Sequence, residues 1–206
     1  MKISNLHEKT PYTETITTLR RTLRRQRRSL TATQQHQHSQ QLAKRLCALP
    51  VIKKAKTIAC YLSFDGEIDL SATIKKLSQM NKQIFLPKLH PLKHHPLLFL
   101  PFDPKANTHS NRYGIMESNL SIHSKLRLQA LDVVLTPLVG FDAFGHRIGM
   151  GGGYYDRSFA FLRHRKQWQK PYLIGVAHEI QKVDHIQPQP WDVQLHTIIT
   201  DKRRYP

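Results

Sequence analysis

A glycine-rich stretch, LVGFDAFGHRIGMGGGYYDRSF at residues 138–159, constrains the fold of this chain more than any other segment. Six of the nine glycines in the 206-residue sequence lie in it, from Gly140 to Gly153. A glycine inside a helix or strand costs about 0.5–1 kcal/mol, because it loses more backbone freedom than other residues. We therefore expect a loop. Before this loop lies an apolar run, Leu131 to Pro137, which predicts a buried strand. After it lies a segment, Tyr154 to Trp168, which predicts a helix.

Such a strand-loop-helix junction can bring backbone N–H groups close to an anion. The phosphate loop GxxxxGK(S/T) does not match, because Tyr154 and Tyr155 follow Gly153, and the dinucleotide fingerprint GxGxxG fails at its third glycine. On the glycines alone, a turn without a ligand is an equal alternative. Arg147 before the run and Asp156 after it favour a nucleoside triphosphate, since they add a cation for phosphate and a carboxylate for Mg²⁺.

This stretch resembles the signature of the 5-formyltetrahydrofolate cyclo-ligase family, also called methenyltetrahydrofolate synthetases. The similar residues are Phe141, Asp142, Gly145, Arg147, Gly149, Gly151 and Gly153 to Arg157. Further similar segments are Tyr61 to Ser63, Glu67 to Asp69, Ile84 to Pro87, Tyr113 to Ile115 and Trp191 to Val193. Together they extend from about Leu19 to Asp201.

The resemblance implies closure of 5-formyltetrahydrofolate to 5,10-methenyltetrahydrofolate, with ATP and Mg²⁺ required and ADP and phosphate released. It implies Arg147 and Tyr154 as catalytic residues and Asp156 and Asp192 as Mg²⁺ ligands. The implied ATP-binding residues are Arg20, Arg147, Ile148, Gly149, Met150, Gly151, Gly152, Gly153, Tyr154 and Tyr155. The implied substrate-binding residues are Leu62, Glu67, Tyr113, Gly151, Gly152, Gly153 and Tyr154. Among them Glu67 would hold the pterin ring, since a carboxylate accepts paired N–H donors well.

The first predicted helix starts at Thr15 and is strongly basic. Its apolar residues recur near a helical period: Ile16, Leu19, Leu23 and Leu30. Arginines fill the remaining faces: Arg20, Arg21, Arg24, Arg25, Arg27 and Arg28. A solvated charged face is the plainest interpretation for most of these arginines. A basic RNA-binding protein is an alternative of another class, since the formal net charge is +18.

The family carries a lysine on this helix and, four residues later, an arginine that contact ATP and substrate. Arg20 falls on the arginine, but Ile16 stands at the lysine, so Arg21 or Arg24 would supply the second cation. Met116 also replaces a proline that is usual in the family. These two departures keep open a third interpretation, a relative that binds folate without turnover.

The remaining pattern alternates strands and helices, which predicts one three-layer α/β/α domain with a mostly parallel, Rossmann-like sheet over residues 15–206. Residues 1–14 would form a flexible tail. Ser29 or Thr31 would cap the second helix, and Asp65 and Asp69 would be turn or capping acids. The expected elements are helices Gln34–Leu49 and Leu70–Asn81, strands Lys56–Ser63, Gln83–Pro87, Tyr172–Ala177 and His196–Thr200, and an edge strand within Leu97–Phe102.

Composition predicts a cytoplasmic protein. The sequence has no apolar run of 18 residues and no apolar signal region near its start. Its two cysteines, Cys47 and Cys60, lack CxxC spacing and are expected to be ordinary thiols. We expect a monomer that acts on a small molecule, 5-formyltetrahydrofolate with or without a polyglutamate tail, and requires neither membrane nor nucleic acid.

Overall fold

The computed structural model describes residues 11–92, 94–103, 108–111, 114, 116–118, 120–165 and 170–206. The strands are β1 (Thr57–Ala59), β2 (Gln83–Lys88), β3 (Leu98–Pro101), β4 (Thr108–Ser110), β5 (Met116–Ser118), β6 (Val133–Pro137), β7 (Gly140–Phe141), β8 (Arg147–Ile148), β9 (Tyr172–Ala177), β10 (Thr197–Thr200) and β11 (Arg204–Tyr205). The α-helices are α1 (Pro11–Arg28), α2 (Ala32–Ala48), α3 (Pro50–Lys54), α4 (Ser71–Gln79) and α5 (Tyr154–Phe159). Short 3-10 helices span Ile122–Ser124, Leu128–Ala130, Ala160–His164 and Glu179–Gln181.

A seven-stranded sheet with the order β11-β10-β9-β6-β1-β2-β3 forms the centre of the fold. The five inner strands are parallel, and the two edge strands, β3 and β11, pair antiparallel. From β1 the chain proceeds through β2 to one edge, and from β6 it proceeds through β9 and β10 to the other. The connections therefore diverge between the neighbouring strands β1 and β6. The predicted mostly parallel α/β fold is confirmed.

Apolar side chains cover both faces of this sheet. Ile58 and Val133 point to the face covered by α2, α3 and α4, where Leu42 and Leu46 are fully buried. The next residues along the strands, Ala59 and Val134, pack on the opposite face against residues of α5 and the loops. This alternation explains the nearly continuous apolar runs in the sequence, because each strand is buried on both sides.

Thr31, one of the two predicted capping residues, caps helix α2. The backbone N–H of Gln34 donates to the Thr31 hydroxyl at 3.2 Å, and the Gln34 side chain accepts from the Thr31 N–H at 2.9 Å. This reciprocal pair satisfies two N–H groups that a helix start otherwise leaves unpaired. Helix α2 ends at Ala48, and Pro50 begins the short helix α3, where proline fits the first position.

Among the helices, the first one and α5 differ most from the prediction. The first helix starts at Pro11 rather than Thr15, while residues 1–10 of the predicted tail lie outside the described residues. The predicted helix Tyr154–Trp168 is wrong in length: α5 ends at Phe159, a 3-10 helix follows, and Trp168 lies outside the described part. Ser158 contributes to this early end, because its hydroxyl donates to the Tyr154 carbonyl at 2.7 Å and competes with the helical bond.

The first half of the glycine-rich stretch is a hairpin rather than a loop. Gly140 and Phe141 in β7 pair with Ile148 and Arg147 in β8, and Gly145 turns with φ +88°. Gly140 is accommodated in this strand because α1 packs directly over it and leaves no room for a side chain. A Cβ atom there would be 2.5 Å from Cδ1 of Leu23.

Cys47 and Cys60 are both free thiols, as predicted. Among the described helices, none has the length and apolar character required to cross a bilayer.

A glycine pair tests the packing of the core. Gly175 in β9 has no room for a side chain, since an added Cβ would be 2.6 Å from Leu195 and 2.9 Å from Leu138. We expect Gly175→Ala to lower the free energy of unfolding by about 1–3 kcal/mol through overpacking, measured by urea denaturation. Gly149→Ala is the matched control, because no described atom lies within 4 Å of its Cβ position. Equal urea midpoints for the two variants would contradict this account of the core.

Candidate active site

A cavity of about 440 Å³ opens where the connections diverge, beyond the carboxyl ends of β1, β2 and β6. Its walls come from the segment after β1, the end of β2, the glycine-rich loop and α5. In open α/β sheets, ligands bind in the crevice at this kind of switch point. The volume lies within the range typical of small-molecule sites, about 300–1,000 Å³.

Ten of the predicted site residues line this cavity: Leu62, Glu67, Arg147, Gly149, Met150, Gly152, Gly153, Tyr154, Tyr155 and Asp156. Ile148 is not among them, because its side chain is buried in a separate cluster with Leu23 and Ile186. Gly151 is also absent from the described lining. Tyr113 lies outside the described residues.

Two arginines fix the glycine loop by its carbonyl groups. Arg20 Nε donates to the Gly149 carbonyl at 2.8 Å, and Arg157 Nη2 donates to that of Gly152 at 2.6 Å. The Arg157 guanidinium also lies 5.0 Å from the centre of the Tyr154 ring. Gly153 adopts the left-handed region with φ +60° just before α5, a conformation that glycine adopts at little cost. The loop thus has a defined shape with bare backbone toward the cavity.

Arg147 lies between the two predicted Mg²⁺ ligands. Its Nη2 donates to Asp156 Oδ1 and its Nη1 to the Val193 carbonyl, and the Val193 N–H donates to Asp156 Oδ1 at 3.1 Å. Asp192 lines a second hollow of about 210 Å³, which Arg147 also borders. The two carboxylates therefore occupy adjoining hollows rather than one, with Arg147 shared between them.

Glu67 reaches the cavity from the loop after β1. Its carboxylate accepts the Phe64 N–H at 3.2 Å and lies 3.8 Å from Arg27 Nη2. Burial raises the pKa of Glu67 to about 7, although the nearby Arg27 and the Phe64 N–H both lower it. A carboxyl group with this pKa takes up or releases a proton near neutral pH.

Behind Glu67 lies a buried ion cluster that sequence analysis did not predict. The side chain of Arg27 is fully buried and contacts Asp65 through two nitrogens, at 2.8 Å to the carbonyl and 3.1 Å to Oδ2. Arg24 and Arg28 also pair with Asp65. Burial would raise the pKa of Asp65, but hydrogen bonds from Arg24 and Arg28 outweigh it and lower the pKa.

The interpretation of the arginines as a solvated face holds for Arg21 and Arg25, which are exposed, and is wrong for Arg27. Asp65 is likewise more than a turn acid, whereas Asp69 accepts the Ser71 N–H at 3.2 Å just before α4, as expected of a turn acid. A signal for Arg27 exists in the sequence. It lies four residues after Leu23, within the apolar stripe of α1, where a cation is expected only if it is paired inside the fold.

The parallel sheet, the switch-point cavity and the glycine loop together define an α/β protein with a small-molecule site. Comparison with known proteins assigns its family. Residues 13–201 match the model of the 5-formyltetrahydrofolate cyclo-ligase family, and the chain belongs to that family. The resemblance inferred from the sequence is confirmed.

Two similar relatives are bacterial 5-formyltetrahydrofolate cyclo-ligases. The protein of Escherichia coli K12 is 40% identical over 181 residues, covering 88% of this chain and 97% of the relative. That of Haemophilus influenzae is 42% identical over 183 residues, covering 88% and 95%. Among solved structures, the 5,10-methenyltetrahydrofolate synthetase of Aquifex aeolicus superposes with a TM-score of 0.76 at 26% identity, covering 92% of this chain and 91% of that one.

The raised pKa of Glu67 gives a testable dependence of stability on pH. The folded chain holds this proton more tightly than the unfolded chain, so the stabilisation is present at low pH and is lost as pH rises through about 7. Between about pH 5 and about pH 8, we expect the wild type to lose about 1–3 kcal/mol of unfolding free energy relative to Glu67→Gln.

Urea denaturation at several pH values measures this difference. Asp184→Asn, at an exposed position, is the control and should follow the wild-type curve. Parallel curves for the wild type and Glu67→Gln would show that Glu67 does not titrate in this range.

Proposed function

We propose that this chain catalyses the ATP- and Mg²⁺-dependent closure of 5-formyltetrahydrofolate to 5,10-methenyltetrahydrofolate, releasing ADP and phosphate. The observation that carries the proposal is that one cavity is bordered by Glu67, an acceptor suited to the pterin ring, and by the Gly149–Gly153 loop with Arg147, a setting suited to phosphate. The names of the similar relatives and of the superposed structure agree with this reaction.

The chemistry explains why the two ligands must share a cavity. The formamide oxygen is a poor leaving group, so the γ-phosphoryl group is first transferred to it and ADP departs. N10 of the folate then forms a bond to the activated carbon and releases its proton to solvent, and the C–O bond breaks with loss of phosphate. The protein must hold the partners in line and neutralise charge on the phosphoryl oxygens, and such positioning accounts for most catalysis of phosphoryl transfer.

In this proposal Arg147 and the loop backbone bind the phosphates. Arg20 supports the loop through its bond to Gly149, and Arg24, which also lines the cavity, is the candidate for the second cation. Glu67 binds the pterin, with Leu62 and Tyr154 beside it. Ile16, at the position of the family lysine, packs with the apolar cluster around Leu23 and contributes no charge.

The residues present fit a bound Mg²⁺. Asp156 and Asp192 each keep one carboxylate oxygen without a hydrogen bond to the described residues. Mg²⁺ favours one or two carboxylates together with phosphate oxygens and water. Bound there, the ion would neutralise phosphate charge, and Arg147, which borders both hollows, would contribute a second positive charge.

The contacts of α1 favour the enzyme over the RNA-binding alternative. Arg20, Arg24, Arg27 and Arg28 all bond to other parts of the protein, which leaves Arg21 and Arg25 as the exposed members of the six without a described side-chain contact. A monomeric state, a cytoplasmic location and a polyglutamylated substrate remain predictions.

The proposal is tested by the absorbance of methenyltetrahydrofolate after 5-formyltetrahydrofolate, ATP and Mg²⁺ are added to the purified protein. We expect turnover that requires all three. Folate binding without turnover would favour the non-catalytic relative. RNA binding at physiological salt without turnover would favour the nucleic-acid alternative.

Asp156→Asn tests the metal assignment. We expect the KM for Mg·ATP to rise about tenfold or more, since a hydrogen bond or contact to a charged group is worth about 1.5–3 kcal/mol. The KM for 5-formyltetrahydrofolate should change little. Unfolding free energy should fall by about 1 kcal/mol or less, as the asparagine oxygen can still accept the Val193 N–H. An unchanged Mg²⁺ requirement would remove Asp156 from the metal site.

A further inference from the structure

Arg27 joins the two sides of the switch point. Its Nε and Nη2 bond to Asp65 in the loop after β1, and its Nη1 donates to the Leu138 carbonyl just after β6, at 3.2 Å. Nη2 also contacts Met150 Sδ at 4.0 Å, within the glycine loop. One buried side chain of α1 therefore touches the folate side and the phosphate side of the cavity.

A buried guanidinium requires a hydrogen-bond acceptor for each of its nitrogens. Leaving a buried cation without them is costly, because desolvation is not repaid. Each nitrogen of Arg27 has an acceptor, so the arrangement constrains the positions of those acceptors in turn.

The loop that Arg27 holds is short and conformationally demanding. Asp65 and Gly66 both have positive φ, +57° and +75°. Gly66 packs against the backbone of α1, where a Cβ would be 3.1 Å from the Arg27 carbonyl oxygen. A non-glycine residue with φ in this region is uncommon and needs support from its surroundings. Here the support comes from the arginines, and Glu67 follows one residue later.

We propose that Arg27 is a positioning residue, which fixes the loop at Asp65 and thereby presents the carboxylate of Glu67 to the pterin. This inference rests on the proposed function, but its physical content concerns Glu67 alone. Arg27 acts through Glu67 and has no predicted contact with substrate.

The positive charge of Arg27 also affects the protonation of Glu67. The groups facing Glu67 are Arg24, Arg27 and Asp65 from α1 and the loop, together with the buried Tyr61 and the half-buried Tyr155. Arg27 opposes the effect of burial on the Glu67 pKa more than any other group. Without it the pKa of Glu67 would rise above about 7, and the protonated acid would accept the paired N–H donors of the ring poorly.

Steady-state kinetics of Arg27→Gln separate positioning from general damage. At about pH 7 we expect the KM for 5-formyltetrahydrofolate to rise about fivefold, since a one-unit rise from a pKa of about 7 lowers the ionised fraction from about one half to about one eleventh. The KM for ATP should rise less than the folate KM, because the contact of Arg27 with the glycine loop, from Nη2 to Met150 Sδ at 4.0 Å, is weaker than its bonds to Asp65. The folate KM should recover as pH is raised. Arg25→Gln, an exposed position on the same helix, is the matched control and should behave as wild type.

Arg27→Lys is the second test variant, to be used if Arg27→Gln does not fold. Lysine keeps the charge but cannot reach the Asp65 and Leu138 carbonyls together, so we expect the folate KM to rise with an unshifted pH profile. A folded variant at position 27 with an unchanged folate KM, or with folate and ATP KM raised equally, would overturn the inference.

A titration without substrate distinguishes failure of the inference from failure of the proposed function. The chain has five glutamates, at positions 8, 14, 67, 117 and 179, so carboxyl ¹³C NMR with labelled glutamate resolves few signals, and Glu67→Gln assigns the relevant one. We expect the Glu67 midpoint to move to higher pH in Arg27→Gln. An unmoved midpoint refutes the electrostatic role of Arg27 even if the enzyme turns over, whereas a moved midpoint without turnover in the wild type refutes the proposed reaction alone.

Discussion

The divergence of the chain between β1 and β6 is the constraint on which the site depends. These strands are hydrogen-bonded neighbours, yet the connections that follow them leave toward opposite edges of the sheet. Within the described part of the chain no crossover covers their carboxyl ends, and parallel pairing brings those ends to the same edge. Glu67 after one strand and the glycine loop after the other are thus placed around one cavity, although about 80 residues separate them in sequence.

The sheet could be predicted because a strand that is buried on both faces has apolar residues at nearly every position. The runs around Ile58, Val133 and Ile174 are apolar at successive positions, as doubly covered strands require. Features that depend on tertiary contact were not predictable. The β7–β8 hairpin forms under α1, where Leu23 needs the space beside Gly140, and α5 stops where Ser158 bonds to the backbone.

The candidate site shows the same division. Resemblance to a family identified Glu67, Arg147 and Asp156, which line one cavity, since those residues belong to recognisable motifs. It did not reveal that Arg27 is fully buried, because a helix with six arginines suggests solvent on every polar face. The spacing along the sequence also did not predict that Asp192 lines a second hollow, which adjoins the cavity at Arg147. The position of Arg27 in the apolar stripe of α1 indicates burial, but its partners, Asp65 and Leu138, become visible only in three dimensions.

The antiparallel strands at the two margins of the sheet also affect how copies of the protein meet. Strand β11 has two residues and β3 has four, the last of which, Pro101, has no N–H to donate. Short margins of this kind give an incoming chain little backbone to pair with, and like charge at +18 adds mutual repulsion between molecules. Resistance to strand-by-strand aggregation is thus a property of the same topology that opens the cavity at the middle of the sheet.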